Sequence, residues 1–449
     1  MACSLGSFSY TLAMLERIVS TLNEAAHSDR TKKFNVEILS AGTFSFCCPI
    51  LQEPIYPTHN FYKWRRTTIY IFEGAERLAL IFSGQSFIAA VTSTNQFILP
   101  HVNSLEENLP NGGISFLRSY LRELPKHIPN IDINLNPRLI SARTHFAHFI
   151  WNDLPSIENA ISSKKEIEVY LVWDAFNLRI NRHYSGKLFP ISLRNAIEGW
   201  SSHLTFMCTS TFISDKVRKN FLRNIINERN PEDKTVYISV RPNSLKRSLI
   251  NQMDFLCCLI STLHEKYDDI TFILDGFSVP DDICLSPYPK KYREGLLKIV
   301  EQSNSLIQKL IRALPSVRNN IYNINGMKFS DALEHISTCS YYVCHAGSQQ
   351  HKIAWLFPRN GYMHSNRASI SDGFKQWVSR QSECSIIPST PDFQYIEDVT
   401  AAPEEYPSDR FFKRNTRNAG HNLYKIKCVN SIVSHIVQDY SKHVIGKFN

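Results

Sequence analysis

Nowhere in the 449 residues does an apolar run reach the roughly 18 to 20 residues that a membrane-spanning helix needs. The best candidate, Leu78 to Val91, is interrupted by Ser83, Gly84, Gln85 and Ser86 and reads as two short strands joined by a turn. Met1 to Tyr10 has neither the basic start nor the long apolar middle of a signal peptide. The 11 cysteines include two adjacent pairs, Cys47/Cys48 and Cys257/Cys258, but no C-x-x-C repeat, so neither a zinc site nor a disulfide framework is expected. Cys257 and Cys258 fall in an apolar helical stretch, where buried free thiols act as small hydrophobes, which points to a reducing compartment. No block of like charges is present. The net charge of +9, from 50 Lys plus Arg against 41 Asp plus Glu, is too mild and too dispersed for a nucleic-acid arm. It leaves an anionic small ligand or an acidic membrane surface as partners. Low-complexity tracts, internal repeats and Asp-x-Asp pairs are absent as well.

What is present is an ordinary globular composition, 43% apolar and 20% charged, in a chain too long for one core. Two domains are expected. The first 160 residues read as α+β: an amphipathic helix near Tyr10 to Ala26, β-type runs at Thr68–Phe72, Leu78–Phe82 and Phe87–Val91, then helical patterns at Ser115–Leu124 and Ala142–Ile161. From Glu166 buried strands alternate with helices, the pattern of a parallel sheet. Asn230-Pro231-Glu232-Asp233 is the clearest linker signal and sets the expected division, 1–230 and 231–449. Beyond it, strands VYISV, ITFIL, IYNI and YYVC alternate with helices, so a ligand is expected past the carboxyl ends of the strands. Asn422 to Tyr440 reads as a closing helix, with room to cross back to the first domain.

Three motifs carry chemistry. In YISVRPNSLKRSLINQMD, residues 237–254, a strand delivers Arg241 to the sheet's ligand end, and Arg247 and Asn251 follow one turn apart. Two guanidinium forks beside a helix start suit a diphosphate; surface pairing with acids is the competing reading. In YYVCHAGSQQHKIAWLF, residues 341–357, a strand runs through His345 into a small-residue turn at Gly347, and Ser348 is placed to cap a helix carrying Gln349, His351 and Lys352. An ordinary β-α turn would look the same. In ARTHFAHFIWNDLPSIENA, residues 142–160, His145, His148 and Asn152 share a helical stripe, a place for a general base, with Asp153 able to orient the imidazole or act itself. His-x-x-His could ligate a metal, but no third ligand is nearby. Gly276 after ITFIL, Asn325-Gly326 after IYNI, and Trp173-Asp174 are weaker candidates at strand ends.

HFIWNDLPSI resembles the His-containing segment of family 61 glycosyltransferases, and ISVRPNSLKRSLINQMD resembles that family's spaced Arg-Arg-Asn-Glu segment. His148, Arg241, Arg247 and Asn251 stand at matching positions, while Asn152 stands where Asp is usual and Gln252 where Glu is common. The likeness spans about residues 140–365. It implies an α/β fold of the GT-B kind, two Rossmann-like domains facing a cleft. It also implies inverting transfer from a nucleotide sugar to a saccharide or glycolipid acceptor without an obligatory metal or other cofactor. Assembly of capsule or lipopolysaccharide, in the cytoplasm with peripheral contact at the inner membrane, follows as the expected setting. A degenerate carbohydrate- or nucleotide-binding protein, or a transferase of another GT-B family with a fucose or Kdo donor, are the alternatives.

Overall fold

Two stretches of the chain alternate short apolar strands with amphipathic helices, and each builds its own parallel sheet. The computed structural model describes the strands between residues 46 and 98, most of 134–399, and 423–444. The main breaks within these are at 142–145, 163–166, about 193–202, 208–211, 228–231, 243–247 and about 282–289. The chain divides into two compact units, Met1–Trp173 with Tyr184–Phe212, and Asp174–His183 with Ile213–Asn449.

In the first unit β1 (Phe46–Cys47) pairs antiparallel with β2 (Pro54–Ile55). β3 (Pro57–Lys63), β4 (Thr67–Glu73), β5 (Arg77–Ser83), β6 (Ser86–Thr92) and β7 (Phe97–Ile98) form an antiparallel meander in sequence order. Ser83 pairs with Ser86, so the expected strand-turn-strand reading of Leu78–Val91 matches the hairpin of β5 and β6. The expected helices at 10–26, Met14 apart, and at 115–124 lie outside the described residues.

A second sheet holds β8 (Asn134–Ser141), β9 (Glu168–Leu171), β10 (Leu188–Pro190) and β11 (His203–Met207), all parallel, in the spatial order β10-β9-β8-β11. β8 leads through α1 (Phe146–His148), a π turn over Phe149–Asp153 and α2 (Leu154–Ser162) to β9. Pro155 accounts for the π turn. It has no N–H and its ring would meet the carbonyl four residues back, so the helix widens and Leu154 N–H bonds Phe149 O instead.

The second unit contains α3 (Asp215–Ile225), β12 (Glu232–Ser239), β13 (Ser248–Leu249), α4 (Gln252–Lys266) and β14 (Thr271–Asp275). There follow α5 (Lys290–Ala313), β15 (Ile321–Asn323), α6 (Phe329–Ser337), β16 (Cys339–His345), α7 (Ser348–Ala354) and β17 (Asn360–His364). Then come α8 (Asp372–Ser379), β18 (Ile396–Val399), β19 (Leu423–Ile426) and α9 (Val429–His443). The main sheet is parallel throughout in the order β15-β14-β12-β16-β17. Its central strand is covered on both faces, with Val236, Tyr237 and Ile238 all at 0% exposure, so its apolar residues run continuously rather than alternate.

The units part earlier in sequence than the linker signal Asn230-Pro231-Glu232-Asp233, whose first two residues lie outside the described residues and whose last two begin β12. Side chains explain the membership of both flanking segments. Phe176 packs against Phe221 of α3 and Phe329 of α6, and Ala175 O accepts from Asp281 N–H. Arg218 of α3 donates to Leu356 O. The expected closing helix is corrected at its start: residues 423–426 are strand β19, between β13 and β18, and the helix begins at Val429. α9 buries Ile432, Val433, Ile436, Val437 and Tyr440 in the core of the second unit itself.

Candidate functional site

In the main sheet of the second unit the first strand in sequence, β12, lies at the centre; the next two lie to one side and the last two to the other. The order therefore reverses between β12 and β16, and in open α/β sheets ligands bind at the carboxyl ends of the strands flanking such a reversal. Those two ends deliver Ser239-Val240-Arg241 and His345-Ala346-Gly347, the hearts of two of the three sequence motifs.

The two ends are bound together. Ser239 Oγ accepts the His345 backbone N–H at 2.8 Å and lies 3.0 Å from His345 Nδ1. Gln349 Nε2 reaches the carbonyls of Val240, Asp275 and Gly276, tying α7 to the ends of β12 and β14, while its Oε1 is buried without a partner among the described residues. Gly347 has φ +133°, a conformation that favours glycine, and its place just ahead of α7 explains why this residue type stands at the turn. Gly347 is also the N-cap, which corrects the expectation for Ser348: that residue is the first of the helix, not its cap.

Lys352 does not face an open anion cradle. α7 is buried along Gln349 to Ala354, and Lys352 Nζ sits 2.6 Å from Asp275 Oδ2 and 2.8 Å from Ser278 Oγ. Asp275 Oδ2 also accepts from Tyr237 OH at 2.6 Å. The charge of Lys352 is thus matched by the Asp275 carboxylate. His351, expected on the same helix, stacks on Trp355 with ring centroids 3.8 Å apart.

Arg241 is half-buried at the end of β12, and its backbone N–H and C=O are both held by Gln252. Arg247 and His145 lie outside the described residues. Asn251 spends its side chain on the backbone of Ile426, donating at 2.9 Å and accepting at 3.1 Å, so its carboxamide anchors β19. Gly276 is a packing requirement: a Cβ there would lie 2.3 Å from Ser303 Cβ. Asn325 binds Phe277 N–H and Val300 O, and Asp174 caps the turn at Leu178–Ile180 by accepting Leu178 and Arg179 N–H.

Two residues packed beside His345, His364 and Tyr424, escaped the sequence reading. His364, in register with His345 on β17, has its ring 4.4 Å from that of His345 and its Nδ1 2.6 Å from Tyr424 OH. Burial pulls its pKa down to about 3, so the imidazole is neutral at ordinary pH. The strand GYMHS places His364 at a strand end, which sequence alone shows, but Tyr424 arrives from a distant strand.

In the first unit the third motif also follows the sheet's central strand. His148 is exposed, with Nδ1 3.2 Å from Asn152 Oδ1, so the two share a helical stripe as expected. Asp153 is wholly buried and accepts from Ser141 Oγ at 2.6 Å. Among the described residues no group of three or more His, Cys, Asp or Glu is arranged to hold a metal ion, and no helix is long and apolar enough to cross a membrane. Cys257, Cys258, Cys339, Cys344, Cys384 and Cys428 are free; Cys257 and Cys258 are half-exposed rather than buried.

No protein-family model matches the chain, and no curated protein does. Solved structures similar to it include a mutant of S. aureus TarM in complex with fondaparinux, alpha-GlcNAc-glycerol and UDP (11% identity, 96% of this chain and 80% of that chain, TM-score 0.21). A GtfA/B complex (8% identity, 87% and 79%, TM-score 0.22) and the pneumococcal O-GlcNAc transferase GtfA in complex with UDP and GlcNAc (10% identity, 90% and 68%, TM-score 0.22) are similar at the same level. Scores this low carry no argument about fold or chemistry; the α/β architecture of two parallel-sheet units stands on the chain's own strand order.

Proposed function

We propose that the chain is a glycosyltransferase of the GT-B kind whose second unit binds the diphosphate of a nucleotide sugar at the reversal between β12 and β16. One observation carries the reading: Arg241 and the Gly347 turn end the two neighbouring strands at which the sheet order reverses. The resemblance to family 61 and the matching strand order of the first unit's parallel sheet support it. In the proposed reaction an acceptor hydroxyl oxygen attacks the anomeric carbon as the bond to the diphosphate oxygen breaks, with inversion. Guanidinium charge from Arg241, joined by Arg247, stabilises the leaving diphosphate, a task that in other enzymes falls to a metal ion. His148 takes the acceptor's proton. Its Nδ1 donates to Asn152 Oδ1, which places the accepting lone pair on Nε2, whereas buried Asp153 is committed to Ser141. The acceptor class is a saccharide or glycolipid of surface polysaccharide assembly, met at the cytoplasmic face of a membrane.

Calorimetry with UDP and GDP, then assay of nucleoside diphosphate release from the corresponding sugars, tests this. Arg241→Ala is expected to weaken binding by about 1.5 to 3 kcal/mol, roughly 10- to 150-fold. Binding without turnover would leave a nucleotide-binding protein, and no nucleotide binding at all would sink the reading.

A further inference from the structure

A buried side chain ties the residue that follows β12 to the start of α4. Gln252, the first residue of α4 and 3% exposed, accepts the Arg241 N–H on Oε1 at 2.8 Å and donates from Nε2 to the Arg241 carbonyl at 2.7 Å. Both polar atoms of the carboxamide are thus committed to the backbone of one residue, eleven positions back and at the strand-order reversal. Ser248 Oγ, donating to Pro242 O at 2.9 Å, adds a second tie beside it. A carboxamide has a donor and an acceptor side by side, which matches the N–H and C=O of one residue; a carboxylate can only accept. A glutamate here would therefore keep one bond and turn a negative oxygen toward the Arg241 carbonyl.

We propose that Gln252 is a positioning residue for the anion site, fixing the backbone of Arg241 and so the point from which its guanidinium reaches a ligand's phosphate. The proposal rests on the reading of Arg241 given above. It explains why an amide stands at this position, since a group that must donate and accept at once cannot be ionised.

The test is Gln252→Glu in the full chain, compared with the unaltered chain at each pH. The protonated carboxyl restores the donor and acceptor pair, and burial beside a carbonyl favours that form. Relative UDP affinity is expected to be close to native near about pH 5 and to fall by about tenfold near about pH 7.5, as the carboxyl ionises. The carbonyl carbon NMR shift of Arg241, which reports the bond that ionisation removes, should follow the same pH course, and a role confined to packing would move neither in this way. An affinity ratio equal at both pH values, whether high or low, overturns the proposal. If the variant fails to fold near pH 7.5, native-like UDP affinity near pH 5 is still required, and its absence also overturns it. If the unaltered chain binds neither UDP nor GDP, the functional reading fails instead. The Arg241 carbonyl shift then decides the clamp alone: a shift in the variant that does not change between the two pH values removes it.

Discussion

The parallel sheets of the two units share a strand order and differ in what they put at its turning point. In each, the first strand in sequence lies inside the sheet, the second and third lie to one side and the fourth to the other. In each, the helix that follows that first strand carries a motif singled out from sequence. In the second unit the strand ends are laced together by buried polar groups: Ser239 to His345, Asp275 to Lys352, Gln349 to three carbonyls, Gln252 to Arg241. In the first unit the hydroxyl of the strand-end residue Ser141 donates to the buried Asp153, and His148 faces solvent. The same topology thus supports a laced frame in one place and an exposed imidazole in the other. Chemistry is set by side chains at the turning point, not by the fold.

If the first unit supplies the general base, His148→Gln lowers kcat by about 100- to 10,000-fold. UDP affinity, which the proposed function assigns to the other unit, is expected to stay put. A joint loss of affinity and kcat would break the division of labour. Next in size is the frame itself. Lys352→Met leaves Asp275 charged, buried and short of its partner, a loss of about 3 to 5 kcal/mol in urea unfolding. Pairing it with Asp275→Asn should recover much of that, because no uncompensated charge remains. A cost near that of an ordinary surface substitution would show that the strand ends are not held as a frame at all.

The alternation of strands and helices from Glu166 onward was legible because buried parallel strands read as unbroken apolar runs and the helices between them are long. Strand β16 and helices α4 and α5 fall close to where periodicity puts them. β19 was not legible: four residues, LYKI, directly ahead of a helix take their strand state from β13 and β18, far away in sequence. Lys352 misled for a different reason. α7 is buried all round, so spacing along it cannot tell a side that meets ligand from a side that meets Asp275. Asn251 was singled out as matching a family pattern and Gln252 as departing from it, yet each holds backbone, one of β19 and the other of Arg241, which no spacing rule reveals.

The smallest expected effect separates burial from hydrogen bonding as the source of the frame's acid sensitivity. With a folded pKa of about 3 against 6.5 for the free side chain, His364 stays neutral while the unfolded chain takes up a proton. Above about pH 6.5 neither state holds that proton and the residue adds no slope. As pH falls from there toward about 3, stability is lost at up to roughly 1.4 kcal/mol per pH unit. His364→Gln should flatten urea-unfolding stability across that window by one proton's worth of slope relative to the unaltered chain. Tyr424→Phe removes the hydroxyl at Nδ1 but leaves the burial that depresses the pKa, so its slope should match the unaltered chain even where its overall stability is lower. Equal slopes for His364→Gln and the unaltered chain would mean that the imidazole meets water in the folded state, and the strand ends of the second unit would then be as open as the turn that carries His148.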